Sequence, residues 1–501
     1  MYASRFLILS GALVLATAPL AAQQAAAATA AAPACDVETM APTSLAKAAI
    51  GRNKVVQATS AEDGLKAARD AMKDVFDKQS NQNPLGRDFV AAQFMILAIA
   101  HGGEVQTRGA LNIPGDKNAK IDLVVAADSL LDIVEAAKPN CKEDTEQWRQ
   151  YKPFANRIKM AYDALAANNM AEAQASVDRA LILSEATAQP YDVMWRMAAA
   201  KGDDEAQVKY LKITVEKLAA DTANSTTRAN LLFNLGRIQQ DLADKASADK
   251  KPALYAEANK SYLEVIEKYP SGEEAPYAVN GISVAWAMTQ DSTAALKAVE
   301  AAKPQASKMS DIALSQAALL ATRLNRPADA SAFFKAATAA NPYWREYLYN
   351  YGATLFDLKQ TQEMVSVVKQ LLELDPSNPD NVLLGAYAYK GLADSAKDAA
   401  VKKAYTDSAV AYSSRSDAMK TKITFLQFDR GRTRTSLSGE IENRDKAPKS
   451  YNVDLQFLDK TGAVVETKTV TVGPVAANAN APFKVELTRG GIMGVKYAPI
   501  P

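Results

Sequence analysis

PADASAFFKAATAANP, residues 327–342, is the stretch from which the rest of the chain can be read. Ala330, Phe334 and Ala337 follow one another at intervals of four and three residues, so all three share one face of a helix. Pro342 then stops it, because proline has no N–H and cannot continue a helical hydrogen-bond ladder. Upstream the same pattern returns as Ala258, Tyr262 and Val265, closed by Pro270. Pro270, Pro304, Pro342 and Pro376 stand 34, 38 and 34 residues apart. Each interval has room for two helices. The earlier helix of a pair carries its own signature, with Leu232, Leu235 and Gly236 in one unit and Leu348, Tyr351, Gly352 and Leu355 in another. A weaker copy, Ala173, Val177 and Ala180, follows a helix expected around Ile158 to Leu165. Small residues at these positions let two helices approach closely, and the aromatic fills the gap to the next unit.

A period near 34 residues, two antiparallel helices and a proline at the end of each unit resembles the tetratricopeptide repeat family. The resemblance covers residues 151–420. It implies a mainly α fold, a right-handed solenoid of helical hairpins, and a protein-binding role with the first helix of each unit lining the inner side. Phased from the prolines and glycines, the inward positions hold Phe233, Arg237, Tyr277, Tyr349 and Phe356, with Glu274 and Glu346 nearby. Phe233, Tyr277 and Tyr349 are expected at equivalent positions of three units, with Ser315 in the unit between. An aromatic there suits a binding groove, where it gives large contact area for little ordering entropy; it suits a helical core as well. The Lys and Asn pattern by which some members of this family clamp a C-terminal carboxylate is missing from these positions. Two polar, alanine-rich insertions, Asp244 to Ala253 and Asp394 to Val401, read as lengthened helix ends or loops on one face.

Residues 33–150 are helical but off this pattern, as expected of a terminal region whose outer face must be polar. Helices are predicted over 44–57, 61–78, 87–101 and 121–138, with a long surface loop from Gly102 to Lys120. The first 32 residues read as a leader. Met1 to Arg5 carries the positive charge, Phe6 to Ala16 is apolar, and the alanines up to Ala34 offer cleavage sites between about Ala22 and Pro33. The apolar run is too short for a permanent membrane span. Export is therefore expected, to the periplasm or cell envelope, with no transmembrane segment in the mature chain. Cys35 and Cys141, the two cysteines, would then meet an oxidising compartment and are predicted to form a disulfide, two free thiols being the alternative.

After Met419 the apolar period changes to two. Val453, Leu455 and Phe457 alternate with polar residues, Asp459 to Gly462 supplies a turn, and Val464 to Val472 returns as the partner strand. Further strands are expected at 435–443, 481–487 and 492–497, with 423–428 leading in, which makes residues 421–501 a small antiparallel β-sandwich. Gly439-Glu-Ile441-Glu-Asn443, Phe457-Leu458-Asp459, Gly462, Val464-Val465 and Tyr497-Ala-Pro499 resemble immunoglobulin-like domains of the FxLYD type. Leu458 departs from that pattern, which has an aromatic before the aspartate. The resemblance implies an adhesive fold without catalytic residues.

Composition narrows the function. Fifty-eight Lys and Arg against 57 Asp and Glu leave no net field to draw in nucleic acid. One histidine, His101, at the end of an expected helix, removes most His-based catalysis and metal sites. No phosphate-binding loop, dinucleotide fingerprint or nucleophile elbow occurs. The acidic runs Asp203-Asp204-Glu205 and Gly272-Glu273-Glu274 fall where helices begin, where capping explains them. The expectation is a non-enzymatic envelope scaffold or adaptor, without cofactor or metal, that binds a protein segment in the repeat groove while the β-domain docks elsewhere. The alternative is a structural component that contacts glycan or outer-membrane assemblies through the sandwich, and a carboxylate-based hydrolase stands third.

Overall fold

The computed structural model describes residues 35–39, 42–218, 223 and 225–500; the leader read in the first 32 residues lies outside them. The chain divides into two compact units, Met1–Ala186 and Thr187–Pro501.

In the first unit α1 (Thr43–Gln57), α2 (Ala61–Val75), α3 (Pro84–Gly102), α4 (Leu123–Ala137), α5 (Lys142–Arg149), α6 (Lys152–Ala166) and α7 (Met170–Leu183) surround a core that includes Leu45, Met72, Phe94, Ile96 and Leu131. α3 is the central piece, apolar almost all round, and so buried along its length. The segment expected as a loop is more ordered than its Gly and Pro content suggests. β1 (Val105–Thr107) pairs antiparallel with β2 (Lys120–Asp122), and Arg108 donates to Pro114 O at 2.7 Å across the turn. The hairpin α6–α7, read with the repeats, belongs to this unit. Cys35 and Cys141 are bonded to each other, which ties the start of the described chain to the residue before α5.

The second unit opens with six helical hairpins: α8 (Gln189–Lys201) with α9 (Asp204–Lys217), α10 (Ser225–Lys245) with α11 (Lys251–Lys268), α12 (Ala275–Thr289) with α13 (Thr293–Ala302), α14 (Asp311–Arg323) with α15 (Pro327–Ala340), α16 (Arg345–Asp357) with α17 (Thr361–Leu374), and α18 (Pro379–Ser395) with α19 (Ala399–Ala418). Each first helix also packs on the next hairpin's first helix from α10 through α14 and from α16 to α18. This is an α-solenoid of the tetratricopeptide-like kind. The two insertions are absorbed as longer helices, 21 residues in α10 and 20 in α19.

Tyr262 shows why the sequence pattern works. Its ring, 2% exposed, is held between Gly236 of its own hairpin and Gly281 of the next. A Cβ on either glycine would come within 2.6 or 2.5 Å of the ring. The aromatic thus fills the space that two missing side chains leave, and its hydroxyl donates to Gln240 Oε1 at 2.9 Å, so no polar atom is stranded.

The chain then turns to strands: β3 (Thr421–Arg430), β4 (Thr435–Asn443), β5 (Lys449–Leu458), β6 (Val464–Val475), β7 (Asn480–Leu487) and β8 (Gly494–Lys496). They form two three-stranded antiparallel sheets, β3-β4-β7 and β6-β5-β8. Val453, Leu455 and Phe457 face Leu437, Ile441 and Val485 in one core, as strict alternation requires. Asp459 makes the expected turn, its carboxylate accepting the N–H groups of Thr461 and Ala463, with Gly462 at φ +81°.

Candidate functional site

First helices present their unburied faces along the array. The five residues read from the sequence do not share one environment there. Tyr277 is 52% exposed and Phe356 46%. Phe233 is half-buried, its ring 5.9 Å from Tyr277 and 6.0 Å from the core residue Tyr262, so it joins groove and core. Tyr349 is also half-buried, beneath the Arg345 guanidinium at 5.6 Å. Burial pushes its hydroxyl pKa up, helped by the nearby Asp380. Arg237 is exposed and tied to Asp241 of its own helix at 2.9 Å.

The equivalence expected of Phe233, Tyr277 and Tyr349 is corrected by the packed glycines. Phe233 and Tyr349 stand three residues before Gly236 and Gly352, whereas Tyr277 stands four before Gly281. One residue rotates a side chain by about 100° around the helix. The buried Ala278 takes the position that matches Phe233, and Tyr277 leans across to Phe233's ring. Tyr387 was missed by the sequence reading. It is 42% exposed on α18, 5.3 Å from Phe356, and extends that aromatic pair to the next hairpin. Its place two residues after Gly385 was the available signal. Two aromatic pairs therefore line the first-helix face, Phe233 with Tyr277 and Phe356 with Tyr387.

The residues considered for chemistry have structural partners. His101 Nε2 lies 3.0 Å from Val55 O, with the ring against Gly64. Asp203 caps α9, accepting from Ala206 N at 2.9 Å. Glu273 and Glu274 differ from the capping expectation. Glu273 pairs with Arg432, and Glu274 accepts from Asn230 at 3.4 Å without capping α12. In the first unit Asp128, Asp132 and Glu135 converge on Arg149, at 2.6 Å for Asp132 and 3.2 Å for Glu135. Burial raises the Asp128 carboxyl pKa. Such a hub binds its own chain. Among the described residues no cluster of His, Cys, Asp and Glu could hold a metal ion, and no helix is long and apolar enough to cross a membrane.

The β-domain packs on the array itself. Asp375, in the turn before α18, is 1% exposed. It is ion-paired with the Arg345 guanidinium at 2.5 Å and accepts from Asn381 Nδ2 at 2.8 Å and from the Tyr497 hydroxyl of the C-terminal segment. Burial pushes its carboxyl above the usual range, against the pull of Arg345. Asp311 gathers a second set: Arg430 of β3 at 2.6 Å, Asn341 at 3.0 Å and Tyr347 at 3.2 Å. Ile423 N–H donates to Ser377 O, and Asn378 Nδ2 donates to Ile423 O, so the turn between α17 and α18 satisfies the strand edge. Trp344 stacks on Phe428 at 4.5 Å. Gly494 comes so close to the Tyr343 carbonyl that no side chain would fit there.

No known family model matches the chain, and no curated protein matches it in sequence. Solved structures with similar helical arrays include one titled for the functional characterization of PilF from Pseudomonas aeruginosa (13% identical, covering 50% of this chain and 88% of that one, TM-score 0.21). Another is the MamA protein (15%, 46% and 91%, TM-score 0.23), and a third is the tetratricopeptide repeat domain of P58(IPK) (13%, 75% and 100%, TM-score 0.18). Similarity at that level adds nothing to the site. The fold rests on the chain's own helix pairing.

Proposed function

We propose that this protein is a non-enzymatic scaffold or adaptor of the bacterial envelope that binds a segment of another protein along its first-helix face. The observation that carries the reading is the pair of aromatic contacts at the first-helix surface, the half-buried Phe233 with the exposed Tyr277 and Phe356 with Tyr387, on a helical array. Solenoids of this kind use such continuous faces to bind, and exposed aromatic clusters mark interaction sites rather than ordinary surface. The leader in residues 1–32 and the bonded cysteines favour export, since disulfides persist in oxidising compartments. The sandwich in this reading is an FxLYD-type module that serves the array. A glycan- or membrane-directed sandwich has less support: its six aromatic residues, Phe425, Phe428, Tyr451, Phe457, Phe483 and Tyr497, are all buried or half-buried.

The test is a comparison of proteins cross-linked in cells to the wild-type chain and to the Tyr277→Ala, Phe356→Ala double variant. A partner lost from a variant that still folds supports the reading; the same set on both chains overturns it. N-terminal sequencing of the exported protein should find a start between about Ala22 and Pro33, and an intact Met1 would refute the export claim.

A further inference from the structure

The outer strands of the sandwich are β3 and β7 in one sheet and β6 and β8 in the other. Each outer strand has a side with no neighbour in its sheet, where unpaired N–H and C=O groups can template another strand. Three of them have an evident answer. β3 is covered where the backbone of Ile423 engages Ser377 and Asn378. β8 is only three residues long. β7 carries the exposed Pro482, which has no N–H to offer, and the exposed Lys484, paired with Glu486 at 2.7 Å. β6 is the difficult one. It is 12 residues long and pairs with β5 alone. Between Val464 and Val472 its residues are Val and Thr apart from Glu466 and Lys468, and β-branched residues suit a pleated sheet.

The register shows where those two charges lie. Val472, Val470, Lys468 and Glu466 stand opposite Tyr451, Val453, Leu455 and Phe457 of β5. These four residues of β5 form part of the core, none more than 3% exposed. Val472 and Val470 continue that core row, at 6% and 8%. Alternation calls for two more apolar side chains, and the row holds a lysine and a glutamate instead. They pair with each other at 2.9 Å, with side chains 46% and 28% exposed. The solvent side of the strand needs no charge, because the hydroxyls of Thr469 and Thr471 donate to Asp454 at 2.6 Å and to Asn452 at 2.8 Å. At the sheet margin the Lys468–Glu466 pair reaches water. A strand laid along β6 would cover it from the open side, and an ion pair removed from water loses more in hydration than it gains by attraction. An inward charge on an outer strand is one of the ways natural sheets discourage pairing. Arg489 adds to the protection by donating to Val465 O at 3.1 Å.

We infer that Lys468 and Glu466 close the outer edge of β6 against strand addition, so that the sandwich neither joins a second copy of this chain edge to edge nor takes up an extended segment of a partner there. This goes beyond the scaffold reading and does not depend on it.

The test compares the full wild-type chain with the double variant Glu466→Val, Lys468→Val by sedimentation equilibrium and by amide hydrogen exchange. The double variant should self-associate more tightly than wild type by at least about tenfold, and the amides of residues 464–472 should gain protection as it does. The exchanged variant Glu466→Lys, Lys468→Glu keeps both charges in the row and should behave as wild type. If the valine variant folds poorly, Glu466→Thr with Lys468→Thr continues the Val and Thr pattern of the strand and serves in its place. A folded variant without the charges that associates no more than wild type overturns the inference. Association that leaves the β6 amides unprotected, or that the exchanged variant shows equally, overturns it too.

Discussion

The array is held together in two different ways, one between its own hairpins and one against the sandwich. Between hairpins the contact is dry. Tyr262 occupies the space left by Gly236 and Gly281, and the surrounding core is Leu, Val and Ala. Against the sandwich the contact is largely polar, with Asp375 and Asp311 each collecting donors from residues far apart in sequence. Apolar joints tolerate small shifts, because dispersion and burial are non-directional. A buried carboxylate tolerates none, since every donor it loses leaves a charge without compensation. The second joint therefore gives a specific docking geometry, and its failure is more abrupt.

The comparison is broken most severely at Asp375. Asp375→Ala should cost about 3–5 kcal/mol, as removing one partner of a buried pair does, because the buried Arg345 would keep only Glu346 as a counter-charge. Denaturant unfolding should then show the sandwich melting apart from the helices. One unshifted transition would mean that the network contributes little. Trp344→Ala removes a half-buried ring from the same joint and should cost about 2–3 kcal/mol, toward the low end for aromatic truncation; its midpoint shift should be smaller than that of Asp375→Ala. In the dry joint, Gly281→Val forces branched carbons into Tyr262 and should cost about 1–3 kcal/mol, the usual scale of overpacking. A truncated ring in the Tyr262→Leu background should relieve part of that loss, and strictly additive losses would show that the two residues do not share the space. Smallest is Tyr277→Ala, expected within about 0.5 kcal/mol of wild type because exposed positions away from cores seldom matter to stability. A large loss there would place the ring in the core and remove it from the binding face.

How much of this was readable follows from the same contrast. Ala258, Tyr262 and Val265 announce the dry joint because it repeats: helical geometry brings the same spacings to the same face in every hairpin. The pattern β4 to β7 was readable for a like reason, since alternation in Val453, Leu455 and Phe457 encodes a face with period two. Tyr277 was taken as equivalent to Phe233 and Tyr349 because the one-residue offset before Gly281 shows only when that glycine is seen packed against Tyr262. Tyr387 was missed because an aromatic two residues after Gly385 is ordinary until its ring is seen against Phe356.

The sequence by itself determined the elements and the neighbour-to-neighbour packing, because those depend on periodicities of about 3.6 and 2 residues and on units of about 34 that recur along the chain. Only the tertiary structure decided where the sandwich sits, that α6 and α7 pack with the first unit, and which aromatic rings meet. Those outcomes depend on single pairs such as Asp375 with Tyr497, 122 residues apart. A contact made once, between residues so distant, leaves no period in the sequence, and its energy comes from desolvated geometry that exists only when the chain has folded.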